Sequence, residues 1–175
     1  MAAASVPEEL WADVASRLSR HAQAGRVHLL TEDTVRMETI LALNDAGVPP
    51  ARLAAEVLAP ALAGGKLDLV VDPPDGAVVE FKYPRDSRTG ISPDTMTFGE
   101  LVRDFLRVAV VPAAERWVVQ VLNTRLVGYL RRVHLRHELR WTVSVGETLE
   151  LHPDRIRGLP ETAARAIGAR SCLIS

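Results

Sequence analysis

One cysteine, Cys172, stands in the 175 residues. A lone thiol excludes an intrachain disulfide and a cysteine metal site, and it fits a reducing compartment. Lysine is nearly as scarce: of 21 Lys plus Arg, two are lysine, Lys66 and Lys82, and the other 19 are arginine. Long apolar runs are missing too. Stretches such as VLAPALAGG and RVAVVPAA fall well short of the roughly 20 residues that a membrane span requires. The opening MAAASVPEELWADV has no basic region followed by an apolar one, so the expectation is a cytoplasmic chain without a membrane partner. Charge of one sign is lacking as well. A net charge of -1 gives no global attraction to nucleic acid, so any such partner has to be held by a local patch.

What is present is an ordinary globular composition, 47% hydrophobic and 25% charged, with enough apolar residues for a real core and a length typical of one domain. The expected division of residues 1–175 is an N-terminal helical cover over 1–30, a core over 31–130, and a C-terminal hairpin and helix over 131–175. Leu10, Trp11, Val14 and Leu18 follow helical spacing, which predicts an amphipathic helix over 7–24. A second helix is expected from Thr31, as N-cap, to Asp45 or Ala46, with Gly47 as its stop. Pro50 is expected to open a short third helix, PARLAAEVLAPAL. Further helices are expected over 95–110 and 124–136, a buried strand over 116–122, and a late hairpin around Gly146 with a final helix near 160–168. That order describes an α/β layered domain with a mixed central sheet flanked by helices.

KLDLVVDPPDGAVVEFK, residues 66–82, holds both lysines and reads as a hairpin whose turn, DPPDG, cannot continue a strand. If Val71 and Ala77 flank the turn, Val70 faces Val78, Leu69 faces Val79, Asp68 faces Glu80 and Leu67 faces Phe81. Strand alternation then gives one apolar face, Leu67, Leu69, Val71, Ala77, Val79 and Phe81, and a second face of Asp68, Val70, Val78, Glu80 and Lys82. Facing carboxylates with Cβ atoms about 4.5–5.5 Å apart destabilise a sheet unless something positive lies between them. A divalent cation answers that need, since Mg²⁺ takes oxygen ligands and is commonly held by one or two carboxylates. Lys82 projects from the same face, and lysine is a compact point charge where arginine is a delocalised fork. The plainer alternative is a solvated sheet edge on which Lys82 neutralises its neighbours; isolated E-x-K triplets are common.

Asp68 followed after eleven residues by Glu80-Phe81-Lys82 resembles the PD-(D/E)XK nuclease superfamily, the restriction-endonuclease-like fold, over residues 31–130. LTEDTVRMETILAL is similar to the helix before its hairpin, whose glutamate often completes the metal site, and FGELVRDFLRV to the helix after it; Leu67 stands where the family often has proline. The resemblance implies Asp68, Glu80 and Lys82 as catalytic residues, with Mg²⁺ (or Mn²⁺) held by Asp68, Glu80 and an acid of the second helix. On a helical wheel Glu32 shares an arc with Val35, Ala42, Leu43 and Ala46, while Glu38 lies beside Thr34 and Asp45, so Glu32 is the choice. Its alternative is a first-turn acid favoured by the helix dipole and paired with Arg36. The implied activity is hydrolysis of phosphodiester bonds, with DNA as the partner, in restriction, repair or phage defence; the rival is a non-catalytic binding or regulatory module on the same fold.

Arg125, Arg132 and Arg136 share a helix face with Tyr129, basic charge with an interleaved aromatic, and are expected to contact nucleic acid together with Arg85 and Arg88 of the polar loop RDSRTGISPD. The competing reading of that stripe is a solvated outer face over a buried Leu126, Leu130 and Val133. Gln120, polar within WVVQVL, either touches the site from the last strand or hydrogen-bonds a neighbour. His134 and His137 lack the H-E-x-x-H pattern of a zinc helix, and Gly64-Gly65 lacks the ending of a phosphate loop. Pattern alone does not choose between a monomer, a homodimer and a complex with a partner protein, nor between DNA and RNA as substrate.

Overall fold

The computed structural model describes residues 6–7, 9–62, 64–73, 76–84 and 94–136. Of the expected elements, the late hairpin around Gly146 and the final helix lie outside these residues, as do Arg85 and Arg88. The chain divides into two compact units. One comprises residues up to Tyr83 together with Arg107–Gln120, and the other Pro84–Leu106 together with the chain from Val121 onward.

The first unit opens with helix α1, Glu9–Gln23, which buries Leu10, Val14 and Leu18, the stripe set by their spacing of four. Trp11 meets Trp117 at a ring-centroid distance of 5.4 Å, within the range of favourable aromatic pairs. Helix α2, Glu32–Asp45, starts where expected: the Thr31 hydroxyl accepts from Thr34 N, while Thr34 Oγ1 accepts from Thr31 N, closing a capping box. It ends at Gly47, whose φ of +90° only glycine adopts cheaply, with Val48 N–H reaching back to Leu43 O at 2.9 Å. Arg17 Nη2 to Asp45 at 2.6 Å and His21 to Glu38 at 2.7 Å tie α1 to α2.

A four-stranded sheet follows, in the order β1-β2-β3-β4: Leu53–Leu58, Lys66–Val71, Ala77–Lys82 and Glu115–Gln120. The helix expected after Pro50 is not formed. Residues 50–52 make one 3-10 turn, 53–58 are β1, and 60–62 are a second 3-10 turn. Leu53–Leu58 is rich in helix formers, but it lies beside the open edge of β2 and pairs with it antiparallel, Leu53 with Val71 through Leu58 with Lys66. The outer backbone groups of β2 need partners, and that tertiary demand outweighs a weak local preference. Proline on either side, Pro50 and Pro60, keeps any helix short.

β2 and β3 are antiparallel, with Leu69 opposite Val79, Val70 opposite Val78 and Val71 opposite Ala77 as expected, but the ladder stops there: the expected pairs Asp68 with Glu80 and Leu67 with Phe81 are not formed. β3 and β4 are parallel, Ala77 with Glu115 through Lys82 with Gln120, so the connection between them is a crossover, and it contains helix α3, Asp94–Ala109. The sheet is therefore mixed, as expected, but β4, expected to be a buried strand, is only half-buried, with Arg116 exposed. Both faces of the hairpin are covered: Leu69, Val71, Ala77, Val79 and Phe81 are buried, and so are Val70 and Val78 on the other face, where Leu67, expected with the first set, joins them. Val70 and Val78 pack with Leu67, Ala59, Val108 and Val111.

In the second unit α3 buries Phe98, Leu101 and Val102. Helix α4, Thr124–Arg136, is capped by Asn123, whose Oδ1 accepts from Leu126 N at 2.8 Å. It buries Leu126 and Leu130, the stripe that the sequence marks. Arg125 and Arg132 are exposed and Tyr129 is half-buried; the side chain of Arg136 lies outside the described residues.

Candidate functional site

Asp68, Glu80 and Lys82 all sit on the β2–β3 pair, toward the ends away from the turn. The regular ladder between the two strands runs from Val71–Ala77 to Leu69–Val79. Beyond it the link passes through a side chain: Phe81 N donates to Asp68 Oδ2 at 2.7 Å. The carboxylate of Asp68 is thereby held against the backbone of the residue that follows Glu80. Across β1, Ala55 pairs with Leu69 and Val57 with Leu67, which leaves Glu56 at the level of Asp68. Glu56 adopts a left-handed conformation, φ +55°, an uncommon one for a non-glycine residue and a local strain that tertiary contacts must sustain.

Glu80 is buried, with 4% of its surface exposed. Its Oε1 accepts from Arg107 Nη1 at 2.6 Å, while Arg107 Nη2 donates to Lys66 O at 2.9 Å. Asp68 Oδ1 lies 3.9 Å from Arg36 Nη1. The same guanidinium binds Glu56 at 2.5 Å and Asp33 at 2.5 Å, and Lys66 Nζ approaches Glu56 Oε2 at 3.4 Å. Lys82 Nζ is 3.6 Å from Glu32 Oε1, and Lys82 stands in register with Gln120 at the end of β4.

The structure thus brings Glu32 to Lys82 and not to Arg36, whose partner in that turn is Asp33. Glu38 turns instead to α1, where it meets His21 and Arg17. Positive charge comes to Asp68 from Arg36 and to Glu80 from Arg107; the sequence reading weighed Arg36 only as a partner of Glu32 and did not name Arg107 or Glu56. Arg125, Arg132 and Tyr129 belong to the second unit, apart from this group in the chain's division.

Burial raises the pKa of Asp68; the Phe81 N–H and the charges of Arg36 and Arg107 oppose that rise, and Glu56 adds to it. Glu56, by contrast, is held below the ordinary range by its bonds to Arg36 and Lys66. The rise at Asp68 has a sign for stability. Above the ordinary aspartate range the folded chain binds protons that the unfolded chain has lost, so stability falls as pH rises through that window, and the ionised group is a cost at neutral pH. Asp68→Asn keeps an acceptor for Phe81 N–H and removes the buried charge. It is expected to melt at the same or a slightly higher temperature than wild type at pH 7 in metal-free buffer, with the difference vanishing toward pH 4. A clear loss of stability at pH 7 would assign Asp68 a purely structural role.

The donors suit a hard divalent cation by chemistry: carboxylate oxygens, two of them on adjacent strands and partly or wholly removed from water. Among the described residues no three His, Cys, Asp or Glu side chains converge on one point as a ready-made cage. A two-carboxylate site at Asp68 and Glu80 meets the requirement of Mg²⁺, which commonly keeps waters and substrate oxygens for its other positions. No family model, curated protein or solved structure matches this chain.

Proposed function

We propose that the chain is a metal-dependent nuclease of the PD-(D/E)XK kind, hydrolysing phosphodiester bonds in DNA. The observation that carries the reading is a half-buried carboxylate, Asp68, bonded to the N–H of Phe81, the residue between buried Glu80 and Lys82 on β3. Buried acids of like charge oppose folding, and groups whose environment disfavours their charge cluster at functional sites. Asp68 and Glu80 would hold Mg²⁺ or Mn²⁺; Glu32 of α2, which pairs with Lys82, would join them only by leaving it. Bound there, the ion would supply Lewis acidity toward the scissile phosphate. Lys82, once released from Glu32, offers its ammonium to the phosphate or to the attacking water.

The test is cleavage of supercoiled plasmid and single-stranded DNA with Mg²⁺ or Mn²⁺. Wild type is expected to cut. Glu80→Gln is expected to fall by about 100-fold or more, the usual scale for removing a group on which the transition state depends. The reading fails if wild type cuts neither DNA with either metal.

A second reading has its own support. Arg36 lies near Asp68, Arg107 binds Glu80 and Lys82 approaches Glu32, so the acids are served by protein cations, as in a structural ion-pair network of a non-catalytic binding module. Thermal unfolding separates the two, because an ion bound only by the folded state raises the melting temperature. An unchanged midpoint with 10 mM Mg²⁺ or Mn²⁺, a concentration of roughly 100 times a tight-site Kd, favours the module.

A further inference from the structure

We propose that Arg107 is the resident counter-cation of Glu80 and sets the divalent-metal affinity of the site by competing with the ion for Glu80 Oε1. The proposal rests on the metal reading above. Its basis is the way the guanidinium is held. Nη1 meets Glu80 Oε1 at 2.6 Å, and Nη2 meets Lys66 O at 2.9 Å, on the strand that carries Asp68 two residues later. One planar fork thus bridges the two strands that bear the carboxylates.

An isolated carboxylate as buried as Glu80 is costly to ionise, so a cation has to accompany it into the folded state. Arginine meets that need without a metal. A divalent ion approaching the same oxygen meets a charge of its own sign, and it gains Oε1 only as Arg107 leaves. Departure is feasible by geometry: Arg107 belongs to the last turn of α3, and its side chain keeps 32% of its surface exposed, so water can receive the guanidinium. Chain and ion then exchange one cation for another at Glu80, and metal affinity carries the cost of displacing Arg107. A charge-assisted hydrogen bond of this type corresponds to a factor of about 10 to 100 in an equilibrium constant.

The experiment is calorimetric titration of Mn²⁺ and of Mg²⁺ into wild type, Arg107→Met and Arg107→Lys, each checked for folding by circular dichroism and thermal melting. Methionine keeps an apolar stem and removes the competitor. Arg107→Met is expected to bind Mn²⁺ about tenfold or more tightly than wild type, to melt lower without metal, and to gain more in melting temperature from Mn²⁺ than wild type does. Lysine loses the two-point bridge and should lie between. Binding by Arg107→Met alone would support the proposal in its strongest form. If wild type and a folded Arg107→Met bind Mn²⁺ equally, or the variant binds more weakly, the competition is refuted while the metal site stands. If Arg107→Met fails to fold, Arg107→Lys decides: affinity equal to or below wild type refutes the proposal. Should neither wild type nor any folded variant bind either ion, the metal reading falls and this inference with it.

Discussion

Lys82→Arg is expected to fold as wild type does, to bind Mn²⁺ nearly as well, and to lose DNA cleavage by about 100-fold or more, the lower end of what a positioned proton-transfer or charge-stabilising group contributes. The side chain is 20% exposed and lies at the end of β3, with Glu32 as its neighbour at 3.6 Å. An arginine there retains a cation for Glu32 and enters no closed core, so the stability change should stay within about 0.5 kcal/mol. What changes is the shape of the charge. An ammonium is compact and rotates its three donors freely, whereas a guanidinium is a rigid, delocalised fork that reaches further. If the proposed nuclease reading holds, that difference would displace the donor from the reacting oxygen of a bound phosphate. Lys66→Arg is the matched control. Lys66 is exposed and its ammonium meets the exposed Glu56 at 3.4 Å, a contact an arginine keeps, so the exchange should be silent in cleavage and in melting. Equal cleavage by wild type and Lys82→Arg would make Lys82 a surface charge and remove it from the site.

The hairpin was legible because its information is local. A turn that no strand can pass through fixes where the strands stop, and alternation then assigns each side chain to a face, so the register from Leu69–Val79 to Val71–Ala77 follows from a short stretch of chain. The α2 cap at Thr31 and its stop at Gly47 were legible for the same reason. β1 was not. Its residues favour a helix, and they become a strand because β2, some ten residues later, presents an edge. Glu56 and Arg107 were missed on similar grounds, and Arg36 was weighed only as a partner of Glu32. Arg36 reaches Glu56 over 20 positions, and Arg107 meets Glu80 only after α3 returns the chain to the sheet. Pattern led to the expectation of two facing acids that need positive charge, but it could not show that arginines from α2 and α3 reach Asp68 and Glu80. The left-handed backbone of Glu56 had no signal at all in residue type.

Gly76→Ala is expected to destabilise the chain by about 3 kcal/mol or more, at the upper end of overpacking penalties, and to lower the melting temperature by roughly 6–12 °C. The cause is space. A Cβ at Gly76 would stand 2.0 Å from Val71 O, 2.7 Å from Asp72 O and 2.8 Å from Asp72 Cβ, and two of these neighbours are backbone atoms that cannot rotate aside. They are fixed in turn. Gly76 N donates to Asp72 O at 3.0 Å, Gly76 O accepts from Ala114 N at 2.9 Å, and Asp72 N donates to Arg52 O at 2.7 Å, while the Arg52 guanidinium grips the Asp72 carboxylate. Gly76 therefore ties the start of β3 to the end of β2 and the approach to β4, and any shift that admits a methyl group moves the strand that carries Glu80 and Lys82. Gly128→Ala, in the middle of α4, where among the described residues the new Cβ meets Arg132 Nη1 at 3.5 Å, should change stability in the opposite direction, by about 0.5–1 kcal/mol. Thermal melts of both variants against wild type decide the matter. A Gly76→Ala midpoint within 2 °C of wild type, a shift of roughly 1 kcal/mol or less, would mean that the turn yields freely and does not set the register of the site.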